Sequence, residues 1–245
     1  MTAQDPGVAR RLEVEVRRAR PPLLTARDYA VLIDLVRFGA LTLEQLTRHH
    51  FRSVNGCAQR LAALRSREYV TGERIFYRGP SAYMATARGA RLADIGLRPG
   101  RLVPETAVHQ LAVTDLADWC LAQQPSARWT TERELRHDAG QAWIDEQDQP
   151  SLLAHGLPHM PDGLLSEPDG RVAIELELST KPRLAYERIF RWYAGATDYD
   201  RVRWFVRSER LRQRLTVLVR QHGLDDVMTC EPLPAVVQLP SWMPR

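Results

Sequence analysis

Residues 159–181, HMPDGLLSEPDGRVAIELELSTK, carry the most informative local pattern in the chain. Glu167-Pro168-Asp169-Gly170 has turn chemistry, and apolar residues flank it on both sides, so the stretch reads as a β-hairpin. Along its second strand, alternation sends Val172, Ile174, Leu176 and Leu178 to one face and Ala173, Glu175, Glu177 and Ser179 to the other. With Pro168-Asp169 as the loop, Ser166 pairs with Arg171, and the same ladder sets Asp162 opposite Glu175 on a shared face. Their Cβ atoms should then lie about 4.5–5.5 Å apart, where two carboxylates repel unless a cation sits between them. Glu177, two residues further along that face, completes an oxygen-rich anionic surface of the kind that Mg²⁺ or Mn²⁺ selects. The competing expectation is an amphipathic edge strand whose acidic face is simply solvated.

Pro161-Asp162 and Glu175-Leu176-Glu177 resemble the motif of PD-(D/E)xK nucleases, which place an Asp on one strand and a (D/E)xK triplet on the next. The resemblance implies metal ligation by Asp162 and Glu175. It departs from the pattern at Glu177, where the family usually has Lys, although some restriction enzymes of this fold carry the same substitution. Lys181 is a candidate compensation. It is the only Lys among 34 basic residues, and its compact ammonium could reach a phosphate or activate a water as a guanidinium could not. A third acidic ligand is expected from the segment RWTTERELR, read as a strand, with Glu132 preferred over Glu134. His109 is expected to be an ordinary surface or core histidine.

Working toward the N-terminus, the period changes from two to between three and four. Thr25 can cap a helix with Tyr29, Leu32, Ile33, Leu35 and Val36 on its apolar stripe, closed by Gly39. Thr42 can cap a second, LEQLTRHH, and Ser53 a third in which Val54, Cys57, Leu61 and Leu64 recur. VTGERIFYRG and SAYMAT read as two strands, and Thr86 caps a further helix. Three helices, a hairpin and a helix in this order predict a winged helix. The outer side of its third helix would present Asn55 and Gln59, flanked by Arg52, Ser53 and Arg60, with Arg74 and Arg78 on the wing. Asn, Gln and Arg read base edges, while Ser and Arg reach phosphates, so double-stranded DNA is the expected partner. His49 and His50 are expected to be surface residues.

Arg98-Pro99-Gly100 and Pro104 mark the expected domain boundary. Beyond it come a helix from about residue 105, the RWTTERELR strand, an irregular polar connection from Gly140 to His159, the hairpin, a helix over 182–196, strand VRWFV, a helix from Ser208 and a last strand near DVMTC. The expected organisation is a basic arm over 1–22, a winged helix over 23–98, a mixed-sheet α/β (α+β) domain over 104–234 and a tail over 235–245. The winged-helix pattern, Trp129 to Leu135, Pro161-Asp162-Gly163 and the Glu175 to Lys181 strand end together resemble the replication-relaxation family of plasmid and mobile-element proteins, over residues 24 to 232. That resemblance implies a role in plasmid replication, mobilisation or its control.

Bulk properties limit the classes. Hydrophobic residues form 44% of the 245, enough for packed cores. The N-terminus has no apolar run of a secretory signal, and no stretch suits a membrane span, so a cytoplasmic protein is expected. Cys57, Cys120 and Cys230 show no metal-binding spacing and are expected in the core. The net charge is only +4, and an Arg-rich composition can equally follow from codon usage, so charge alone argues weakly for nucleic acid. Three expectations stand: a divalent-metal DNA endonuclease; a catalytically silent regulator of transcription or replication, whose nuclease-like fold supports dimerisation or DNA contact; and an adaptor for replication or conjugation proteins such as a relaxase.

Overall fold

The structure is a computed structural model and describes residues 24–74, 79–145 and 159–240. Helix α1 (Ala26–Phe38) starts at a capping box in which Thr25 and Asp28 satisfy each other's backbone, and it ends at Gly39, whose φ of 82° suits glycine. Strand β1 (Leu41–Thr42) leads into α2 (Leu43–His50), capped by Thr42 with Gln45, and α3 (Val54–Arg65) starts at Ser53. A hairpin of β2 (Val70–Arg74) and β3 (Ser81–Ala85) and a short helix α4 (Ala87–Ala93) follow. The three strands form an antiparallel sheet in the order β1-β3-β2. Val31, Leu32, Leu35 and Val36 of α1 pack with Leu46, Cys57, Leu61 and Leu64 into the first core. Two expected stripe residues fall outside it: Tyr29 and Val54 are exposed, and Val31 takes the buried place on α1.

The second half opens with α5 (Pro104–Gln123), followed by β4 (Arg128–Thr131) and α6 (Glu132–Asp145). The hairpin β5 (Gly163–Glu167) and β6 (Gly170–Glu177) comes next, then α7 (Arg183–Gly195), β7 (Arg201–Val206), α8 (Glu209–Gln221) and β8 (Met228–Pro232). The sheet order is β4-β5-β6-β7-β8, antiparallel from β4 to β6 and parallel from β6 to β8. Ala112, Leu116 and Cys120 of α5 pack with Val172, Ile174 and Leu176 on one face. Tyr186, Phe190 and Tyr193 of α7 and Leu211 and Leu215 of α8 pack with Ala173, Val202 and Trp204 on the other. The sheet is therefore covered on both sides, as parallel strand pairs require.

RWTTERELR is not one strand. Strand β4 stops at Thr131, which with Glu134 forms a capping box: Thr131 N donates to Glu134 Oε2 at 2.8 Å, and Glu134 N to Thr131 Oγ1 at 3.3 Å. Glu132 and Glu134 therefore begin a helix, and α6 extends into the first residues of the expected polar connection. The rest of that connection, and the basic arm, lie outside the described residues. In the expected tail, Val237 is buried in the α5-side core.

The two halves are tied together by buried and half-buried polar contacts. Arg37 donates to Glu134 Oε1 at 2.8 Å and to the Trp129 carbonyl at 2.7 Å. Gln45 donates to Asp115 and to the Leu111 carbonyl, Gln110 to the Phe38 carbonyl and Arg133 to the Val36 carbonyl. At the expected boundary Gly100 meets Gly39 so closely that a Cβ would fall 2.1 Å from the Gly39 carbonyl oxygen.

Candidate functional site

The hairpin has the register that the alternation predicts. Ser166 pairs with Arg171 and Gly163 with Ile174, where the ladder ends, and Asp162 follows one residue before that last pair. Proline cannot donate to the ladder, and β5 indeed goes no further back than Gly163 while β6 runs on to Glu177. Side chains replace the missing strand. Asp162 Oδ2 accepts from Leu176 N at 2.7 Å, and His109 Nε2 on α5 donates to the Leu176 carbonyl at 3.0 Å.

The carboxylates meet bases of the chain itself. Asp162 Oδ2 lies 3.2 Å from His109 Nε2. Burial opposes the charged imidazole, but the Asp162 carboxylate outweighs it and lifts His109 to about 9, so the ring is cationic at neutral pH. His109 is thus part of the site. Glu175 is buried at 5% exposure, and its Oε1 accepts from His159 Nε2 at 2.6 Å and from the Tyr193 hydroxyl. Burial pushes the Glu175 carboxyl up, and the nearby Asp162 charge adds to the rise. The Tyr193 phenol is held well above its usual range by burial and by Glu175, so it remains a donor. His159 is braced edge-on by Trp192 and Tyr193, with ring centroids 5.5 and 5.6 Å away.

Glu177 is 3% exposed, and its Oε2 lies 2.8 Å from Lys181 Nζ. That oxygen has the ion pair without a well-directed hydrogen bond, and at this distance its charge is paired. Glu175 and Glu177 are therefore not a solvated acidic face: β6 is the middle strand and α7 covers that side. Glu132 pairs with Arg136 at 2.6 Å on α6, and Glu134 is taken by Arg37 and Thr131, so neither carboxylate is directed at Asp162 or Glu175 by these bonds. Among the described residues, the three ligand-type side chains whose donor atoms all lie within 4.8 Å of one another are Asp34, His49 and His50, not Asp162, Glu175 and Glu177.

On the first half, Arg52, Asn55 and Gln59 are exposed on and beside α3, and Arg74 is exposed at the end of β2. Ser53 is exposed but its Oγ caps α3, accepting from Gly56 N at 3.2 Å. Arg60 departs from expectation. Its guanidinium turns inward to both oxygens of the fully buried Asp28, with Nε 2.6 Å from Oδ1. Arg78 lies outside the described residues. His49 and His50 are partly buried rather than surface residues: both contact Asp34, and His49 also contacts Asp118.

His159 lies within the decisive stretch, but only the fold shows that it meets Glu175. Nothing in the local pattern links Tyr193, 18 residues from Glu175, to that carboxylate. No family model matches the chain, and neither a curated protein nor a solved structure matches it.

Proposed function

We propose that the chain is a cytoplasmic DNA-binding protein in which a winged helix docks on double-stranded DNA and a PD-(D/E)xK-like sheet carries a phosphodiester-cleaving site. The observation that carries this reading is the approach of Asp162, one residue before β5, to the Glu175–Leu176 stretch of β6, with its Oδ2 2.7 Å from Leu176 N and Lys181 held beside the same strand end. Asp162 and Glu175 would hold Mg²⁺ or Mn²⁺. Their fit is supported by the way each carboxylate uses one oxygen: Asp162 Oδ1 and Glu175 Oε2 accept no hydrogen bond from the described residues. A bound ion would polarise the phosphate and lower the pKa of a water molecule. Lys181 would pair with a phosphate oxygen, Tyr193 and His159 would orient Glu175, and His109 would orient Asp162. Arg52, Asn55, Gln59 and Arg74 would meet the DNA. The resemblance to replication-relaxation proteins suggests plasmid replication or mobilisation as the setting, with replication or conjugation proteins as further partners.

A second reading rests on a specific observation. Asp162, Glu175 and Glu177 each have a base of the protein against them, so the cluster is compensated without a metal. This favours a silent, regulatory domain. Incubation of supercoiled and linear DNA with the protein and Mg²⁺, Mn²⁺ or EDTA separates the two. Metal-dependent nicking or cutting that Asp162→Asn eliminates, with DNA retention in a gel-shift assay unchanged, supports the nuclease. DNA binding without cleavage in either metal establishes the regulator.

A further inference from the structure

A second cluster lies where the two halves meet, away from the carboxylates of β6. His49 and His50 end α2, Asp34 sits on α1 and Asp118 on α5. His49 Nδ1 is 3.0 Å and His50 Nε2 2.9 Å from the same oxygen, Asp34 Oδ2. Adjacent helical residues do not share a face, yet these two reach one point because they offer different ring nitrogens. All three side chains are shielded, at 15%, 12% and 18% exposure for His49, His50 and Asp34.

We propose that Asp34 Oδ2, His49 Nδ1 and His50 Nε2 form a binding site for a divalent first-row transition metal, with Zn²⁺ the expected occupant. Two observations argue for an ion over a plain hydrogen-bond cluster. Both imidazoles converge on Oδ2, whereas among the described residues Oδ1 has only Arg37 Nη1, 3.9 Å away. The two ring nitrogens and Oδ2 all lie within 4.8 Å of one another. Tetrahedral zinc with bonds of about 2.0–2.1 Å separates its ligand atoms by about 3.3 Å, within a few tenths of the two nitrogen-to-Oδ2 distances here. The second observation is Asp118, whose Oδ1 lies 2.8 Å from His49 Nε2. Metal-bound histidines commonly donate their other ring N–H to a carboxylate, which fixes the tautomer that coordinates. Two nitrogens and one oxygen suit Zn²⁺ better than Mg²⁺. The fourth position is left for water, and the ion would lock α1 to α2, with Asp118 carrying the link into α5.

The test uses the tag-free full chain, stripped with chelator and titrated with Co²⁺. The expected result is one equivalent bound with visible ligand-field absorption that Zn²⁺ bleaches. Zn²⁺ at about 100-fold above its Kd should raise Tm by about 5–10 °C. His50→Ala should abolish binding, and Asp118→Asn should weaken it by about 10–100-fold because the carboxylate acts through His49. Asp162→Asn should leave the strong ligand-field absorption of this nitrogen-containing site unchanged, whereas Co²⁺ held by the carboxylates at β6 would be six-coordinate and absorb only weakly, which separates the two sites. Wild type that shows neither absorption nor a Tm gain overturns the proposal, as does binding that His50→Ala and Asp118→Asn both leave intact. If His50→Ala does not fold, the wild-type titration and Asp118→Asn decide between these outcomes.

Discussion

Asp162→Asn tests the electrostatics of the candidate site before any reaction is measured. The amide can still accept from Leu176 N, so the hydrogen bond that replaces the strand survives, but His109 loses its counterion. A rise of His109 from 6.5 to about 9 would correspond to about 3 kcal/mol if it were expressed in full. The imidazole is 37% exposed, and solvent screening reduces the contribution to about 1–2 kcal/mol. The pKa is raised on folding, so this stability is present in full below about 6.5 and is lost as the pH climbs through about 9. The substitution also relieves Glu175 of a neighbouring charge, a gain that grows as Glu175 ionises, so both effects narrow the gap at high pH. At pH 6 the variant should melt about 3–6 °C below wild type, and by pH 9.5 the difference should largely vanish. NMR titration of the His109 ring should show its pKa falling toward 6.5. An unchanged His109 titration, or a Tm difference that is flat from pH 6 to 9.5, refutes the pairing.

Arg60→Ala should cost about 3 kcal/mol in chemical unfolding, since it strands the buried Asp28 carboxylate, and at fixed folded fraction it should leave DNA affinity nearly unchanged. Arg52→Ala and Arg74→Ala should do the reverse: stability by urea titration stays within about 0.5 kcal/mol, while the slope of log affinity against log salt flattens by about one for each phosphate that is no longer neutralised. Glu134→Gln should destabilise by about 2 kcal/mol, through the weakened cap and the absence of the Arg37 pair. Burial opposes ionisation of Glu134, but Arg37 and Thr131 outweigh it and depress its pKa, so its contribution holds above about 4.5 and fades as the pH falls through the lowered value; Tm curves of the two proteins should converge in acid.

The caps and the hairpin are legible in the sequence because their causes are local. Thr25, Thr42, Ser53 and Thr86 each cap a helix as expected, and a two-residue loop at Pro168-Asp169 determines the whole β5–β6 register. The end of β4 is legible too: Thr131-Glu132-Arg133-Glu134 spells a capping box, but the apparent alternation after Trp129 masks it. Arg60 shows a different limit. Its position on α3 follows from the period, but its partner, Asp28, is 32 residues away, and a helix period cannot say that an intermediate position faces a buried carboxylate rather than solvent.

The site itself divides along the same line. Alternation correctly puts Glu175 and Glu177 on one face of β6, and the hairpin register brings Asp162 near Glu175, whose carboxyl it helps to raise, so the repulsion between those two follows from sequence. What neutralises that repulsion does not. The bases come from α5, from the approach to β5 and from the turn after β6, at sequence separations of 53 residues for His109–Asp162, 16 for His159–Glu175 and 4 for Lys181–Glu177. Only the last has a short-range signature. The chain sets a base of its own against each carboxylate: His109 against Asp162, His159 against Glu175 and Lys181 against Glu177. A divalent ion at Asp162 and Glu175 would have to weaken those pairs as it binds, so the stability it adds is smaller than an uncompensated cluster would give. In the proposed nuclease reading, metal affinity and cleavage would then be set by how readily His109 and His159 yield their carboxylates.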